Sequence, residues 1–463
     1  MRIFTKVGRP GQPEPVAIGP DGRVYVGTNQ QQRGDARAPS RIFRFDRIGR
    51  PAGDFELRGQ NLEEDHGIQG LAFDGRGLLY VLDRAARDRV VVLNPRTGAQ
   101  RDYAEFPDVP SCGTAGRTTD CSASTVDRGA APNFGAFAPD GTLYVTDIEQ
   151  ALIWRVPPGG GRAQVWFTDR RLESPFGPNG IQLMGDRRTL MFAVTGTNPS
   201  AGGAPGSGAL YKLPIAAGGG PGELQEHWRS RPLDGPDGFA LARSGRAYLA
   251  LAGSSQLVVI TPEGDEQARV PASQLENDRR DVPFDGPASV AFLGRSALVS
   301  NQSFPRGEQA NWAVFDVFTG EDGLPLYRPL IGRARLRLVL SGRRGRRCFH
   351  GRIRATVRGP ERRLAARAEF RRGGRRVARD ARRPLSKIVD NGRHAGRSHT
   401  HVARVRVRYS GGGLAVLKKR YRVCASRPSR SRPSAAGARA RPRRPWSARP
   451  RARRRGRART PAA

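Results

Sequence analysis

Five polar side chains each stand directly before an apolar stretch, and they are the residues in this sequence best suited to chemistry. They are Glu14, Gln69, Asn133, Asn179 and Asp237, and the sixth equivalent position holds Ala288. Carboxylate and amide oxygens are hard ligands that suit Ca²⁺, Mg²⁺ or Mn²⁺. If the fold gathers these side chains around one axis, they predict a divalent-cation site. The alternative is that they cap strand ends and bond to channel water, and spacing alone leaves both interpretations open.

A repeated unit must position these side chains. It recurs as "VAIGPDGRVYVGT" from Val16, "LAFDGRGLLYVLD" from Leu71, "AFAPDGTLYVTD" from Ala136 and "LARSGRAYLAL" from Leu241, with degenerate copies from Ile181 and Val290. Each copy reads as two alternating strands joined by a tight turn, and a third strand follows most of them. Six such units predict an all-β fold with a six-bladed β-propeller over residues 1–332. "MRIFTKV" is expected to close the ring by pairing with the last blade.

The remaining residues, 333–463, differ in composition and in hydrophobic pattern. Residues 333–424 alternate apolar residues with arginine, which is typical of strands with one wet face. With Cys348 and Cys424 near its two ends, this segment is expected to form a small Ig-like β-sandwich. Residues 425–463 are dominated by Pro, Ser, Ala and Arg, so we expect a disordered basic tail.

Positive charge is concentrated in this second part. Residues 333–463 contain 44 of the 80 Lys and Arg but only 4 of the 42 Asp and Glu, so residues 1–332 are nearly neutral. Such a region can contact a polyanion or the cell envelope, or it can simply be solvated. Specific nucleic-acid binding is not predicted, because aromatic residues do not alternate with the arginines.

The cysteines and the chain's apolar segments bear on its location. Cys112 with Cys121 and Cys348 with Cys424 are expected to form two disulfides, since neither pair has a zinc-ligand spacing. Disulfides indicate an oxidising compartment, and we therefore expect a secreted or extracellular protein. The sequence shows no signal peptide and no transmembrane segment.

Four segments contain short motifs around these positions: "QPEPVAIGPDG" with Glu14, "APNFGAFAPDG" with Asn133, "GPNGIQL" with Asn179 and "GPDGFAL" with Asp237. In residue type and blade order they resemble the senescence marker protein, gluconolactonase and luciferin-regenerating-enzyme family of six-bladed propellers, over about residues 1–330. The resemblance implies a metal held by Glu14, Asn179 and Asp237, with Asn133 contacting substrate. NHL-repeat propellers share the "PDGxLYV" hairpin without a metal.

Two departures from that family concern the substrate. The family often has Arg and Asp where this chain has Ala131 and Phe134, so the resemblance does not extend to a substrate clamp of the sugar-lactone type. His66 lies three residues before Gln69 and is a candidate base or ligand at the channel mouth, or a surface residue. Asp83 and Asp147 end second strands, where bonds to the following turn explain them.

Together these features predict a metal-dependent hydrolase of lactones or related esters. The cofactor is a divalent ion at the mouth of the channel, Ca²⁺ first, with Mg²⁺, Mn²⁺ or Zn²⁺ as alternatives. It would polarise the carbonyl of a small-molecule substrate and lower the pKa of a bound water. Asp237 would relay the proton, while Asn133, Gln69 and His66 would contact substrate. The alternative is a non-catalytic extracellular propeller that binds a ligand or partner and is held at an anionic surface by its basic C-terminal region.

Overall fold

The computed structural model describes residues 1–30, 38–85, 88–115, 120–304, 306–392 and 398–425. These residues form β-strands joined by turns, with a few short helices. The all-β prediction is therefore confirmed. The predicted disordered tail lies outside the described residues except for its first residue, Ala425.

Strands from Arg2 to Phe318 follow one another in antiparallel meanders. In chain order they are β1 (Arg2–Lys6), β2 (Gln12–Ile18), β3 (Val24–Gln30), β4 (Arg41–Phe45), β5 (Pro51–Glu56), β6 (His66–Phe73), β7 (Leu79–Arg84), β8 (Arg89–Leu93), β9 (Gln100–Glu105), β10 (Pro132–Phe137), β11 (Leu143–Asp147), β12 (Leu152–Val156), β13 (Gly161–Arg162), β14 (Gln164–Thr168), β15 (Pro178–Leu183), β16 (Thr189–Val194), β17 (Ala209–Pro214), β18 (Gln225–Arg229), β19 (Pro236–Leu241), β20 (Ala247–Leu251), β21 (Gln256–Ile260), β22 (Glu266–Val270), β23 (Pro287–Leu293), β24 (Ser296–Asn301) and β25 (Ala313–Phe318). Two short helices, α1 (Cys112–Ala115) and α2 (Gln274–Asp278), lie in the loops.

These strands assemble into sheets of two kinds. Four sheets have four strands each: β10-β11-β12-β14, β15-β16-β17-β18, β19-β20-β21-β22 and β1-β25-β24-β23. The meanders β2–β5 and β6–β9 are instead joined in one nine-stranded sheet, which also includes β13. They are joined because β3 runs on to Gln30, so that Asn29 and Gln30 pair with Gly67 and His66 of β6.

The first strand of each meander packs against the first strands of its neighbours. In order these strands are β2, β6, β10, β15, β19 and β23, and β23 lies beside β2 again. This is a propeller-like arrangement around a central channel. The predicted closure by the N-terminal strand is also confirmed, since β1 pairs with β25 and the Arg2 guanidinium bonds Asp316 at 2.7 Å.

Apolar side chains from adjacent sheets interlock between the meanders. Tyr144 of β11, for example, shares a buried cluster with Phe192 of β16 and Tyr211 of β17. Trp154 is fully buried, and its indole nitrogen donates to Asp147 at 2.9 Å. Alternation along each strand produces these contacts, because every second side chain points into a neighbouring sheet.

Residues after Arg337 form a separate unit with its own core. Its strands are β26 (Arg337–Arg344), β27 (Phe349–Arg358), β28 (Ala365–Arg372), β29 (Arg375–Asp380), β30 (Ser386–Asp390), β31 (His399–Tyr409) and β32 (Leu414–Val423). They belong to one hydrogen-bonded sheet in the order β26-β27-β32-β31-β28-β29, with β30 on β27. Side chains from distant parts of this sheet, such as Leu338, Ile353 and Phe370, share one cluster. The Ig-like sandwich stays a prediction.

Both predicted disulfides are present. Cys112, the first residue of α1, is bonded to Cys121, and Cys348, directly before β27, is bonded to Cys424, directly after β32. Such bonds are typical of extracellular proteins. Among the described residues, no helix combines the length and apolar character that a membrane crossing requires.

A segment after Phe318 crosses the turn end of the channel. Its backbone pairs with the fifth meander, where Leu324 N donates to Leu241 O at 2.8 Å. Farther along, the Arg328 guanidinium donates to Ile18 O at 2.6 Å. The segment therefore spans the channel from β19 to β2, and a cavity of ≈ 360 Å³ lies between it and the inner strands.

The C-terminal sheet docks on the turn that joins β6 to β7. Arg76 in this turn bonds Glu361 at 3.1 Å, and each of the two side chains is only 7% exposed. The other oxygen of Glu361 accepts hydrogen bonds from Tyr409 Oη at 2.6 Å and Arg335 N at 2.9 Å. Ser410 Oγ donates to Arg76 O at 2.8 Å. A buried pair with its remaining atoms bonded is costly to break, because removal of one partner leaves an uncompensated charge.

The same turn contains a buried carboxyl group, that of Asp74. It accepts hydrogen bonds from Arg76 N at 2.8 Å and Leu78 N at 2.9 Å. Burial nevertheless raises the pKa of Asp74 to about 6. This carboxyl lies at the turn end of the inner strands, away from the strand starts.

Candidate functional site

All six residues at the predicted site positions lie near the start of a first strand, at the same place in its pairing pattern. In each meander the register between the first and second strands shifts at this point, as between Pro132 and Gly135 or between Pro236 and Phe239. The same irregularity occurs in β2, β6, β15 and β23. A β-bulge releases residues from the ladder and re-aims their side chains. Six bulges at equivalent positions therefore re-aim the six side chains in the same way.

The five polar members are buried, although they are carboxylic acids and amides. Their exposed fractions are only 3% to 6%, for Glu14, Gln69, Asn133, Asn179 and Asp237. Each has an atom without a hydrogen-bond partner in the described part of the chain. For four residues that atom is an oxygen: Glu14 Oε2, Asn133 Oδ1, Asn179 Oδ1 and Asp237 Oδ1. Buried polar atoms are rarely left unbonded, so four at equivalent positions indicate a shared purpose.

The atoms of Gln69 differ from this pattern. Its unpartnered atom is the amide nitrogen, Nε2, which donates hydrogen bonds and does not ligate cations. Ala288, fully buried at the sixth position, contributes no polar group. The oxygens therefore come from four of the six positions.

Glu14 and Asp237 are close enough to influence each other's ionisation. Burial raises the pKa of Glu14 well above its ordinary value, and the charge of Asp237 raises it further. Burial also raises the pKa of Asp237, opposed by hydrogen bonds from Gly238 N and the Asn179 amide. Two buried carboxylates near each other cannot both ionise cheaply, and a cation between them removes that cost.

Hydroxyl groups fix the amide and backbone geometry of the site. Thr195 Oγ1 accepts a hydrogen bond from Asn179 Nδ2 at 3.0 Å and donates to Pro236 O at 2.7 Å. Because the Asn179 nitrogen is occupied, its oxygen is the end left for a ligand. Similarly, Thr146 Oγ1 donates to Asn179 O at 2.6 Å and Ser300 Oγ to Glu14 O at 2.6 Å. The sequence interpretation missed these three hydroxyls, whose only signal is a Thr or Ser at the end of a second strand.

Small residues follow most site residues and allow adjacent strands to approach closely. A Cβ added at Gly180 would lie 2.7 Å from Asp237 O, and one at Gly238 would lie 2.6 Å from Ala288 O. Any larger residue would push the neighbouring strand, and its site residue, outward.

Phe134, directly after Asn133, is the large exception among these following residues. Its ring tip would be 2.9 Å from a Cβ on Gly238, so the ring reaches across the channel to β19. Phe134 also lines the cavity of ≈ 360 Å³. It therefore lies between the site residues and that cavity, as an apolar floor.

His66 is placed in the wall rather than at the mouth. It is 1% exposed, and its ring nitrogens lie 2.8 Å from Glu64 O and 3.0 Å from Ala38 O. Since both nitrogens face backbone carbonyls, neither is left to contact a substrate. Asp147 behaves as predicted, because it accepts hydrogen bonds from the following turn at Glu149 N and Gln150 N. Asp83 instead bonds the Arg89 guanidinium at 2.9 Å.

Another group of metal-ligand residue types lies in the C-terminal sheet. Cys348, His350 and Cys424 have potential ligand atoms within 4.8 Å of one another. The two sulfurs are bonded to each other, however, so they offer no thiolates. The oxygen-rich set at the strand starts is the stronger candidate for a cation.

Solved structures with a similar fold include a calcium-binding protein, regucalcin, from Agrobacterium tumefaciens. That similarity has 18% identity and a TM-score of 0.47, and it covers 72% of this chain and 100% of the other. A gluconolactonase from Xanthomonas campestris gives 15% identity and a TM-score of 0.41 over 64% of this chain and 84% of the other. Virginiamycin B lyase from Staphylococcus aureus gives 16% identity and a TM-score of 0.41 over 64% of this chain and 79% of the other.

These similarities are too distant to assign a reaction, and the proteins concerned differ in chemistry. No protein-family model and no curated protein matches the chain.

Proposed function

We propose that residues 1–332 form a six-bladed β-propeller that binds a divalent cation and hydrolyses lactones or related esters. The observation that carries the proposal is the set of four buried, unpartnered oxygens on Glu14, Asn133, Asn179 and Asp237. Hard oxygen donors that include two carboxylates suit Ca²⁺ above softer metals, with Mg²⁺ or Mn²⁺ next.

The proposed ligands are Glu14, Asn179 and Asp237, because two of them are the mutually repelling carboxylates and the third has only its oxygen free. When bound, the cation would supply Lewis-acid polarisation of the ester carbonyl. Asp237 would take the proton of the attacking water at the carboxylate oxygen that does not hold the cation, and would pass it to the alkoxide released when the ester C–O bond breaks. The side-chain amide of Asn133 would contact the lactone and so orient it.

Phe134 defines the side from which the substrate would enter. Its ring closes the channel beneath the site, so substrate must come from the face where the first strands begin. An apolar floor favours substrates with a hydrocarbon ring or chain over densely hydroxylated ones, because hydroxyl groups buried against it would lose their hydrogen bonds. Alkyl lactones are therefore the proposed class. Contact with the cell envelope through the basic region stays a separate proposal.

The test combines metal analysis with turnover. Full-length protein is dialysed with and without chelator, its metal content is measured, and hydrolysis of alkyl and sugar lactones is followed with each divalent ion restored. We expect one bound ion, chelator-sensitive turnover of alkyl lactones, and loss of both in Asp237→Asn.

Asp74→Asn is the matched control, because it also neutralises a buried carboxyl but lies at the turn end of the strands. It should keep metal and activity. A protein that binds the ion but turns over no lactone or ester would be the non-catalytic binding propeller. A protein without the ion would exclude both the site and the mechanism.

A further inference from the structure

A cationic cleft opens in the C-terminal sheet between β26 and β32. Strand β27 pairs with β32 only at Phe349 and Val423, so the two strands diverge beyond the Cys348–Cys424 disulfide. The resulting open cleft has a volume of ≈ 700 Å³. It lies in a different unit from the proposed cation site and does not depend on the proposed function.

The cleft is lined by seven exposed cationic side chains. Four come from β26 and the turn after it, and three come from β32: Arg337, Arg344, Arg346, Arg347, Lys419, Arg420 and Arg422. None of the lining residues is acidic. Like charges gathered in this way repel each other, which an anion in the cleft would relieve.

Carboxylates of this unit form ion pairs with arginines outside the cleft. Glu361 bonds Arg76 at the propeller, Glu369 bonds Arg371 at 3.0 Å, and Asp390 bonds Arg372 at 3.0 Å. In the described residues, none of the seven cleft cations forms an ion pair. The cleft therefore has no internal counter-charge.

The concave shape of the cleft and its arginine side chains indicate which class of anion it would bind. A membrane surface is flat and cannot enter a concave cleft, whereas an extended chain can lie along it. Six of the seven cations are arginines, whose planar fork matches phosphate oxygens in pairs. The cleft offers no free aromatic face to stack bases: Tyr421 is 5% exposed, and the Arg344 guanidinium lies 5.5 Å from the centre of the Phe349 ring.

We propose that this cleft binds a phosphodiester chain that lacks bases, such as a polyol-phosphate polymer. The arginines hold successive phosphates, and the exposed apolar surface of Val339 contacts the linking carbons. The affinity comes mainly from counterion release, so it falls steeply with salt.

The experiment measures binding of a fluorescent abasic phosphodiester 12-mer to the full-length chain by anisotropy over a range of salt concentrations. The cleft variant is Arg337→Gln with Arg420→Gln. Its matched control is Arg375→Gln with Arg376→Gln, which removes the same charge from exposed residues at the β28–β29 turn, outside the cleft. Both proteins keep the arginine-rich residues after Ala425, so any binding by those residues is common to both.

Loss of two contacts should lower the slope of log K against log salt by about 1.4, at about 0.7 per single-strand phosphate. Because the electrostatic part of binding vanishes near 1 M salt, this predicts about 25-fold weaker binding at 0.1 M for the cleft variant. The control variant should bind as the unaltered chain does, and thermal unfolding should show both variants folded.

Three outcomes would overturn the proposal. Equal losses in the two variants would mean that only net charge matters. Equal binding of a polyglutamate of matched charge would remove the phosphate preference. Binding of an ordinary oligonucleotide more than tenfold tighter than the abasic chain would mean that bases are read.

Discussion

Replacing Glu14 by glutamine should make the protein more stable in chelator and unresponsive to divalent ions. The substitution keeps the shape of the side chain but removes a buried charge that Asp237 opposes. Without a cation, the native state then no longer bears the cost of two neighbouring acids, so its free energy of unfolding rises. With a cation, the variant lacks one of its proposed ligands and gains nothing.

The size of the ion's effect in the unaltered chain follows from linkage. A cation present at 100 times its dissociation constant raises the free energy of unfolding by about 2.7 kcal/mol. The strands from Arg2 to Phe318 span about 320 residues, which at about 2.1 cal/mol/K per residue gives an unfolding entropy of about 0.7 kcal/mol/K. The expected rise in Tm is therefore about 4 °C for the unaltered chain and none for Glu14→Gln.

Differential scanning calorimetry in chelator and at millimolar CaCl₂ measures both effects. Asp74→Asn should also gain stability in chelator, because Asp74 is another buried carboxyl with a raised pKa. It should nevertheless keep the rise in Tm of about 4 °C on addition of calcium. If Glu14→Gln keeps the calcium response, Glu14 is not a ligand, and the geometric reasoning about the strand starts fails.

Three further predictions concern packing, pH and the disulfide. Gly238→Ala places a Cβ 2.6 Å from a backbone oxygen, so chemical denaturation should show a free energy of unfolding lower by about 1–3 kcal/mol and no stabilisation by calcium. At Gly220 an added Cβ meets nothing within 4 Å, so Gly220→Ala should change neither quantity. The pKa of Asp74 is about 6 in the fold, against 3.8 for an ordinary Asp side chain, so the native state binds more protons than the unfolded state and stability should fall as pH rises from about 4 to about 6. Asp74→Asn should abolish that component of the pH dependence in urea titrations at several pH values. Replacing Cys348 and Cys424 by serine frees a loop of 76 residues and should cost the C-terminal sheet about 4.5 kcal/mol by the chain-entropy relation, so a loss under about 1 kcal/mol in guanidinium unfolding would contradict it.

The hairpin repeats made most of the propeller-like arrangement predictable. An alternating strand, a glycine turn and a second alternating strand are local features, and the pairing of "MRIFTKV" with the last meander follows once a ring is assumed. The pairing of Asn29 and Gln30 with β6 was not predictable, because the strand extension depends on Gly67 and His66, which are 38 and 36 residues away in sequence. The crossing segment after Phe318 was missed for the same reason, since its partners are long-range.

For the candidate site, positions were easier to predict than orientations. Counting back from the turn located the six strand starts, because all six hairpins keep the same register up to one bulge. Counting could not show that Gln69 leaves its nitrogen rather than its oxygen unpartnered. Nor could it show that His66 turns into the wall, because Ala38 and Glu64 decide this through the fold. The reach of Phe134 across the channel likewise depends on a glycine in another meander.

The pairing of β1 with β25 has a consequence for biosynthesis. Arg2–Lys6 is made before the other described strands, yet its partner Ala313–Phe318 is made about 310 residues later, which at about 5–20 residues per second means a delay of about 15–60 s. During this interval β1 has no partner strand, and the nascent chain cannot close its circle. The stage most exposed to chaperones, proteases and self-association is therefore the wait for that final strand, and completion of the circle is the event that ends it.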